Sequence, residues 1–437
     1  MMKKCLGKLM FSILGLLTMI IPVKAYAAGS VASVEGDYGI RDYSIAFGEN
    51  GSVSYENHGD GTDENSVFEL GSNGKTIAAY VALKLAEEGK TDLDDHIAPY
   101  LDRNLITDDE RLKDITLRQL LCHTAGFSPS FELGVDKKIY SDPGEEFRYS
   151  GVGYIYLQNV IENVSGMNME QAAKHYVFDP LGMSSSTFSA CKTVTPYIRL
   201  SSAVLYAFAG FVLAFAVLFL IMFVAGKLTK FRFFSLKNGY IICFVLAGVL
   251  NSLFMMFVLV SKVAVVFWGF FVIAGVSLWC FRKRKALFYS CVPVMTVLIL
   301  LLGSVIPCSV PVTNDIVPRE ANCAYTLRST SKDMAVFCQE LMRQYNNKDG
   351  AVKEMFSPAV KIDDTNSWGL GIAIESENTG ETYWHSGINP GFQSLYVLYP
   401  AQDKYIVVVT NSDDGLEFSQ NVSRSFLGVD GFWDIKR

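Results

Sequence analysis

The stretch VFELGSNGKTIAAYVALKLAEEGK, residues 67–90, changes its hydrophobic period part-way along. Val67-Phe68-Glu69-Leu70 reads as a strand meeting Gly71. From Ser72 to Lys90 the apolar positions Ile77, Ala78, Val81, Ala82, Leu85 and Ala86 then fall on one helical face. Gly89 and the cluster Asp92, Asp94, Asp95 end that helix. A strand that runs straight into a helix places the junction at a helix N-terminus, where partial positive charge and free N–H groups favour a developing oxyanion. Ser72 and Lys75 occupy that junction. Residues three apart share a face, so the Lys75 amine can reach the Ser72 hydroxyl. Serine is a poor nucleophile until a neighbouring base takes its proton, and lysine can serve as that base. An N-cap serine beside a solvated lysine fits the same four residues. Ser-x-x-Lys also recurs at Ser189–Lys192 and Ser329–Lys332. Context separates the three: Ser72 follows a predicted strand and opens an amphipathic helix, whereas Ser189 sits in a polar stretch and Ser329 in a capping run.

Upstream, Arg41 to Phe47 and Val53 to Asn57 flank the turn Gly48-Glu49-Asn50-Gly51 and read as a hairpin. Downstream, helices are predicted at Thr116 to Leu121, Gly153 to Val164 and Met169 to Val177. Beyond residue 320, Ser329-Thr330-Ser331 caps a helix from Lys332 to Tyr345. Strands follow at Gly369 to Glu375, Glu381 to His385, Gln393 to Tyr399 and Tyr405 to Asn411, then a helix from Leu416 to Phe426. Helices first and hairpins afterwards, with an early hairpin to join them, predict an α+β fold with an antiparallel sheet flanked by helices.

The apolar residues are distributed unevenly. Met1 to Ser30 has a basic start (Lys3, Lys4, Lys8), an apolar run from Leu9 to Val23 and the small-x-small string Ala25-Tyr26-Ala27. It reads as a secretory signal peptide over 1–28, with an uncleaved anchor as the alternative. Between Leu200 and Asn314 there is no Asp or Glu, and four apolar stretches (201–226, 238–261, 263–281, 286–310) are each long enough to cross a bilayer. Lys227, Lys230, Arg232 and Lys237 lie between the first pair, and Arg282, Lys283, Arg284 and Lys285 between the last, so both loops are expected to be cytoplasmic. Four crossings return the chain to the side it left. The expected plan is therefore a signal peptide, a first extracytoplasmic half over 31–198, four transmembrane helices over 200–311 and a second extracytoplasmic half over 314–437.

Setting aside the nine basic residues of the membrane segment and the four of the leader takes the formal charge from −6 to −19, which argues against nucleic acid as a partner. Of nine cysteines, Cys122, Cys191, Cys308, Cys323 and Cys338 are expected outside the membrane, at no metal-ligand spacing. Cys191 and Cys308 flank the outer ends of the first and last spans, where a disulfide is one option. His58, His96 and His175 have no partner spacing for zinc.

Several further strings occur in order: EEGKTDLDD (87–95), ITLRQLLCHTAGF (115–127), PGEEFRYSGVGY (143–154), DPLGM (179–183), WGLG (368–371), HSGINPGF (385–392) and VVVTNS (407–412). With FELGSNGK (68–75) they resemble the serine β-lactamase-related family, which includes class C β-lactamases, D-alanyl-D-alanine carboxypeptidases, penicillin-binding-protein types, D-aminopeptidases and related esterases. The resemblance covers roughly 34–188 and 321–415. It implies a β-lactamase/transpeptidase-like fold interrupted by the membrane segment. It also implies Ser72 as acylated nucleophile, Lys75 as its partner and Tyr149 as proton relay. His385-Ser386-Gly387 falls where the family has Lys-Thr-Gly or His-x-Gly, which puts His385 in the site and Ser386 and Gly387 beside the substrate. The backbone N–H groups of Ser72 and Ile388 would then form the oxyanion hole. His123, within the His-Thr-x-Gly string, looks structural. No metal or organic cofactor is implied.

Two positions depart from the β-lactamase pattern. Gly151 stands where an asparagine amide would hold Lys75 and the substrate carbonyl, and His385 replaces a fixed cation. Both weaken the case for efficient β-lactam hydrolysis. The expected activity is hydrolysis of an amide or ester, with cell-wall D-amino-acid peptides, such as peptidoglycan fragments, as substrates and the lipid bilayer as surroundings. A penicillin-type ligand sensor, or an inert binding or immunity protein using the same cleft, is the alternative; a protein partner is not specified.

Overall fold

The computed structural model describes residues 40–129, 138–199, 309–311, 320–347 and 349–434. The leader and the four long apolar stretches lie outside the described residues, as does Cys308, except that 309–311, placed at the end of the expected transmembrane segment, form a strand. Among the described residues no helix is long and apolar enough to cross a membrane.

The chain opens with the expected hairpin, β1 (Tyr43–Glu49) and β2 (Ser52–His58), and continues through β3 (Phe68–Gly71) into α1 (Gly74–Glu87). The helix begins two residues later than its apolar pattern suggests: Asn73 is the N-cap, and Ser72 sits in the turn between strand and helix. Lys75 N donates to Ser72 O at 3.0 Å, which keeps the two side chains one turn apart. Nor is α1 amphipathic in the fold. All of Gly74 to Leu83 is buried, so this helix is the axis of the core, and its alanines let neighbours approach on every side.

Next come α2 (Leu117–Leu121), α3 (Gly151–Ser165), α4 (Met169–Ala173) and α5 (Asp179–Leu181). Capping boxes on Thr116 and Asn168 start α2 and α4. β4 (Tyr197–Arg199) then pairs antiparallel with β5 (Ser309–Pro311), with Arg199 opposite Ser309. After β6 (Leu327–Ser329) comes α6 (Ser331–Tyr345), capped by the Thr330 hydroxyl, which accepts from Asp333 N.

The remaining strands are β7 (Val360–Lys361), β8 (Asn366–Trp368), β9 (Ala373–Glu377), β10 (Gly380–Asn389), β11 (Phe392–Tyr399) and β12 (Lys404–Thr410), followed by α7 (Gly415–Leu427). The strand predicted from Gly369 begins only at Ala373, because Gly371, at a φ of 84°, turns the chain first. The strand predicted to stop at His385 continues to Asn389.

Eight strands form one antiparallel sheet in the order β2-β1-β12-β11-β10-β9-β8-β7. Successive residues of β1 point to opposite faces. The Tyr43 ring meets Phe418 of α7 at 5.0 Å between centroids, whereas the Ser44 hydroxyl meets that of Ser331 on α6 at 2.6 Å. Helices therefore cover both faces of the sheet. α1 packs behind α6, with the Tyr80 and Phe337 rings 5.7 Å apart. β3 and β6 form a separate short pair that lies against β10 and β11.

Candidate active site

Ser72 sits at the foot of the buried helix α1, where its hydroxyl accepts from Lys75 Nζ at 3.1 Å. Lys75 is only 2% exposed. Its ammonium also donates to the carbonyl of Ala324 at 2.5 Å and lies 5.2 Å from the Tyr149 ring centroid and 5.7 Å from that of Tyr154. A buried lysine needs such partners, because the cost of removing the ion from water is recovered only by close polar and aromatic neighbours. Gly151 has no side chain to offer an amide, and the Ala324 carbonyl provides an acceptor from the other half of the chain.

The opposite wall is β10. An ideal Cβ on Gly71 would lie 2.8 Å from Ile388 N, and one on Gly387 would lie 1.8 Å from Leu70 O. Glycine at both positions lets β3 and β10 pass in backbone contact, which brings Ile388 against Gly71, the residue before Ser72. Gly71 itself has a φ of 51°, a conformation costly for other residues. Ser394 Oγ donates to Leu70 O and accepts from Asn73 Nδ2, tying β11 to the same crossing. Ser386 is buried on β10, and Ile388 is 42% exposed.

Tyr149 precedes α3 and stands in a cluster of rings. Its centroid lies 4.4 Å from His123, 5.7 Å from Trp368 and 6.1 Å from His385, and Trp368 is 5.5 Å from His385. His385 is buried, with Nδ1 2.8 Å from the Ser386 carbonyl. The structure thus gathers Ser72, Lys75, Tyr149, His385 and the Gly387-Ile388 backbone around one crossing.

His123, expected to be structural, backs its ring directly on Tyr149. Its Nδ1 accepts from Ser150 N at 3.1 Å, and its carbonyl accepts from Arg148 N at 2.8 Å, so it holds the residues on both sides of Tyr149. It does so from a left-handed backbone conformation, φ 60°, unusual for a non-glycine residue. Nothing in residue type or spacing announces this. Burial pushes up the thiols of Cys122 and Cys323, with Cys323 at about 12 and its Sγ donating to Tyr154 O, so both stay protonated.

The Beta-lactamase family matches this sequence over residues 23–199 and 308–424, about two thirds of the chain. The chain belongs to the Beta-lactamase family. Among curated proteins, Protein flp of Staphylococcus aureus (strain MW2) is 29% identical over 138 residues, and penicillin-binding protein 4 of Amycolatopsis lactamdurans is 27% identical over 137. These alignments span 28% of this chain, and only 28% and 36% of the length of those relatives. Three solved structures illustrate the likeness of fold. The octameric penicillin-binding protein homologue of Pyrococcus abyssi aligns over 91% of this chain and 76% of its own (TM-score 0.57, 16% identity). A D-stereospecific amidohydrolase from Streptomyces sp. aligns over 92% and 99% (0.57, 17%). A beta-lactamase/D-alanine carboxypeptidase from Pseudomonas syringae aligns over 91% and 96% (0.59, 14%).

Proposed function

We propose that this chain is a membrane-anchored serine hydrolase that forms an acyl-enzyme on Ser72, with small amides or esters as substrates and cell-wall D-amino-acid peptides as the leading class. One observation carries the reading: the Ser72 hydroxyl and the buried Lys75 amine are 3.1 Å apart at a helix N-terminus. Once Lys75 has released one proton to solvent, Ser72 Oγ attacks the carbonyl carbon while its own proton passes to the Lys75 amine, and the negative oxygen is received by the backbone N–H groups of Ser72 and Ile388. The C–N or C–O bond then breaks, and the leaving nitrogen or oxygen takes the proton, relayed by Tyr149. Water attacks the acyl-enzyme by the reverse path, releasing the acid and restoring Ser72. His385 and Ser386 line the substrate side of β10, with Gly387 clearing the backbone. The choice of D-peptides is supported by two proteins that share the fold, one named a D-stereospecific amidohydrolase and the other a beta-lactamase/D-alanine carboxypeptidase.

The family match breaks off after residue 199 and resumes at 308, the same interval that carries the acid-free apolar run. That coincidence supports an extracytoplasmic catalytic domain interrupted by a membrane segment in the cytoplasmic membrane. The deciding experiment is turnover of a chromogenic ester by detergent-purified protein, wild type against Ser72→Ala at matched folding. Activity lost in the variant upholds the proposal; an inactive wild type rejects it.

A second reading, a ligand sensor using the same cleft, draws on the segment leading into residue 200. A Cβ on Gly391, in the turn after Ile388, would lie 2.7 Å from Pro196 and 3.0 Å from Tyr197 N. Hydrogen exchange of the basic loops at 227–237 and 282–285, with and without a site ligand, separates the two: unchanged protection removes the sensor.

A further inference from the structure

Glu69 and Arg328 face each other across the β3–β6 pair, and both are withdrawn from water, at 4% and 0% exposure. A buried ion pair is costly unless its remaining hydrogen-bonding capacity is met. Arg328 Nη2 donates to Glu69 Oε1 at 3.2 Å, and Nη1 donates to the carbonyls of Ser189 and Thr326 at 3.2 and 3.4 Å. The second Glu69 oxygen accepts from Asn389 Nδ2 at 2.9 Å, and the same amide nitrogen donates to Tyr325 O at 3.1 Å.

Each anchor of this network adjoins a reacting group. Glu69 lies three residues before Ser72 on the strand that presents it. Asn389 follows Ile388, whose N–H stands opposite Gly71. Tyr325 follows Ala324, whose carbonyl holds Lys75. The backbone ladder does not fix this corner by itself, because the β3–β6 register shifts between Glu69 and Gly71. Apolar packing would leave β3 free to slide along β10. A charged acceptor shared by two directional donors permits one arrangement, since a displaced strand would leave a buried charge unpaired.

We infer that Glu69, Arg328 and Asn389 are positioning residues that hold the oxyanion-binding amides of Ser72 and Ile388 in register with Lys75, without touching the substrate. This rests on the acyl-enzyme reading of Ser72 given above.

Asn389→Ala in the full chain tests it, because that change leaves the Glu69–Arg328 pair in place. Two quantities are read: hydrolysis of 4-nitrophenyl acetate, and inhibition by phenylboronic acid. The boron of the inhibitor gains a bond to Ser72 Oγ, the serine proton is lost to the site base or solvent, and one boron hydroxyl enters the oxyanion position. The expected result is a fall in kcat of about tenfold with KM within about twofold, and a matching rise of about tenfold in the boronate inhibition constant. Glu69→Gln, which keeps the volume and removes the charge, moves both quantities in the same direction. Should Asn389→Ala fail to fold, Asn389→Gln carries the same comparison. A lowered thermal midpoint with kcat and boronate inhibition both within about twofold of wild type makes the network purely structural and overturns the inference. A wild type that neither turns over the ester nor binds the boronate is a separate outcome, which removes the hydrolase reading and this inference with it.

Discussion

Gly387→Ala is the sharpest perturbation of the crossing between β3 and β10. The added methyl would sit 1.8 Å from the Leu70 carbonyl oxygen, where real contacts stop near 3.0 Å, so the strands must separate by at least about 1.2 Å. No flexible side chain can absorb this, because the obstacle is backbone. The displaced strand carries Ile388 N–H, one of the two proposed oxyanion donors. Misplacing a catalytic group by about 1 Å, or losing one oxyanion donor, costs on the order of 100-fold in rate, or about 2.7 kcal/mol of transition-state stabilisation. The assay is steady-state hydrolysis of a chromogenic ester together with a thermal melt. Gly182→Ala serves as control: it too has a positive φ, at 70°, but a Cβ there meets nothing within 4 Å. Both variants are expected to lose some stability, and only Gly387→Ala to lose about 100-fold in kcat. A Gly387→Ala enzyme that keeps more than about a third of wild-type kcat would refute the proposed oxyanion geometry.

Lys75→Met should cut acylation by roughly 10³-fold while leaving the melt near wild type or above it, because the variant removes a buried ion along with its desolvation cost; single-turnover labelling against a melt checks this. His123→Ala should lower kcat about tenfold by freeing Ser150 N beside Tyr149. His123→Asn should recover part of the loss, since asparagine tolerates the left-handed backbone and offers an oxygen to Ser150 N; equal activity in the two variants would count against a positioning role. Glu377 is pushed up to about 7, mainly by burial and then by Glu375 and Asp430, so the folded state holds its proton more tightly than the unfolded chain does. That contribution is complete below about pH 4.5 and is lost as pH rises towards 7, so Glu377→Gln should gain on wild type by about 1 kcal/mol at pH 8, allowing for solvent screening, and by little at pH 4 in urea melts. Finally, Arg199 and Ser309 are cross-strand partners, so replacing 200–308 by an Asn-Gly turn should leave a folded chain that still acylates Ser72; an aggregated product would show that the interval is needed for folding.

The secondary structure was legible wherever period and punctuation agreed. The hairpin at 43–58, the helix capped by Thr330 and the long strands near the C-terminus lie close to where alternation and capping put them. The short strands β7 and β8 were not legible, because two or three residues carry no period. The burial of α1 on all sides was hidden for another reason: alanines and glycine contribute little hydrophobic signal yet are what allow neighbours to close in. In the site, the Ser72–Lys75 pair was singled out by its place between strand and helix, Tyr149 and His385 by the family resemblance, and the fold brings these four positions together. Three features came only with tertiary structure: the Ala324 carbonyl on Lys75, the His123 grip on Tyr149, and the Glu69–Arg328–Asn389 network. A backbone carbonyl has no sequence signature. A buried glutamate within a strand pattern reads simply as the polar member of an alternation.

Both halves of the chain are required for the site, and the way they are joined explains why a long interval between them is tolerable. β1 pairs with β12, and β3 with β6, so both of these strands of the first half are completed by one from beyond residue 308. Lys75, too, finds its acceptor across that interval. Bringing together residues so far apart in sequence costs chain entropy, so a pairing that fixes both ends of the interval matters whatever the interval contains. β4 and β5 hold them. Tyr197 is fixed in turn, its N–H donating to Asn411 O at 3.0 Å and its carbonyl accepting from Asp413 N at 3.3 Å, while Asp413 Oδ1 accepts from Gly391 N at 2.8 Å. The clamp across the interval therefore ends on the turn just beyond Asn389. Strain at the clamp would reach the oxyanion strand through that turn, before it reached the helices around α1.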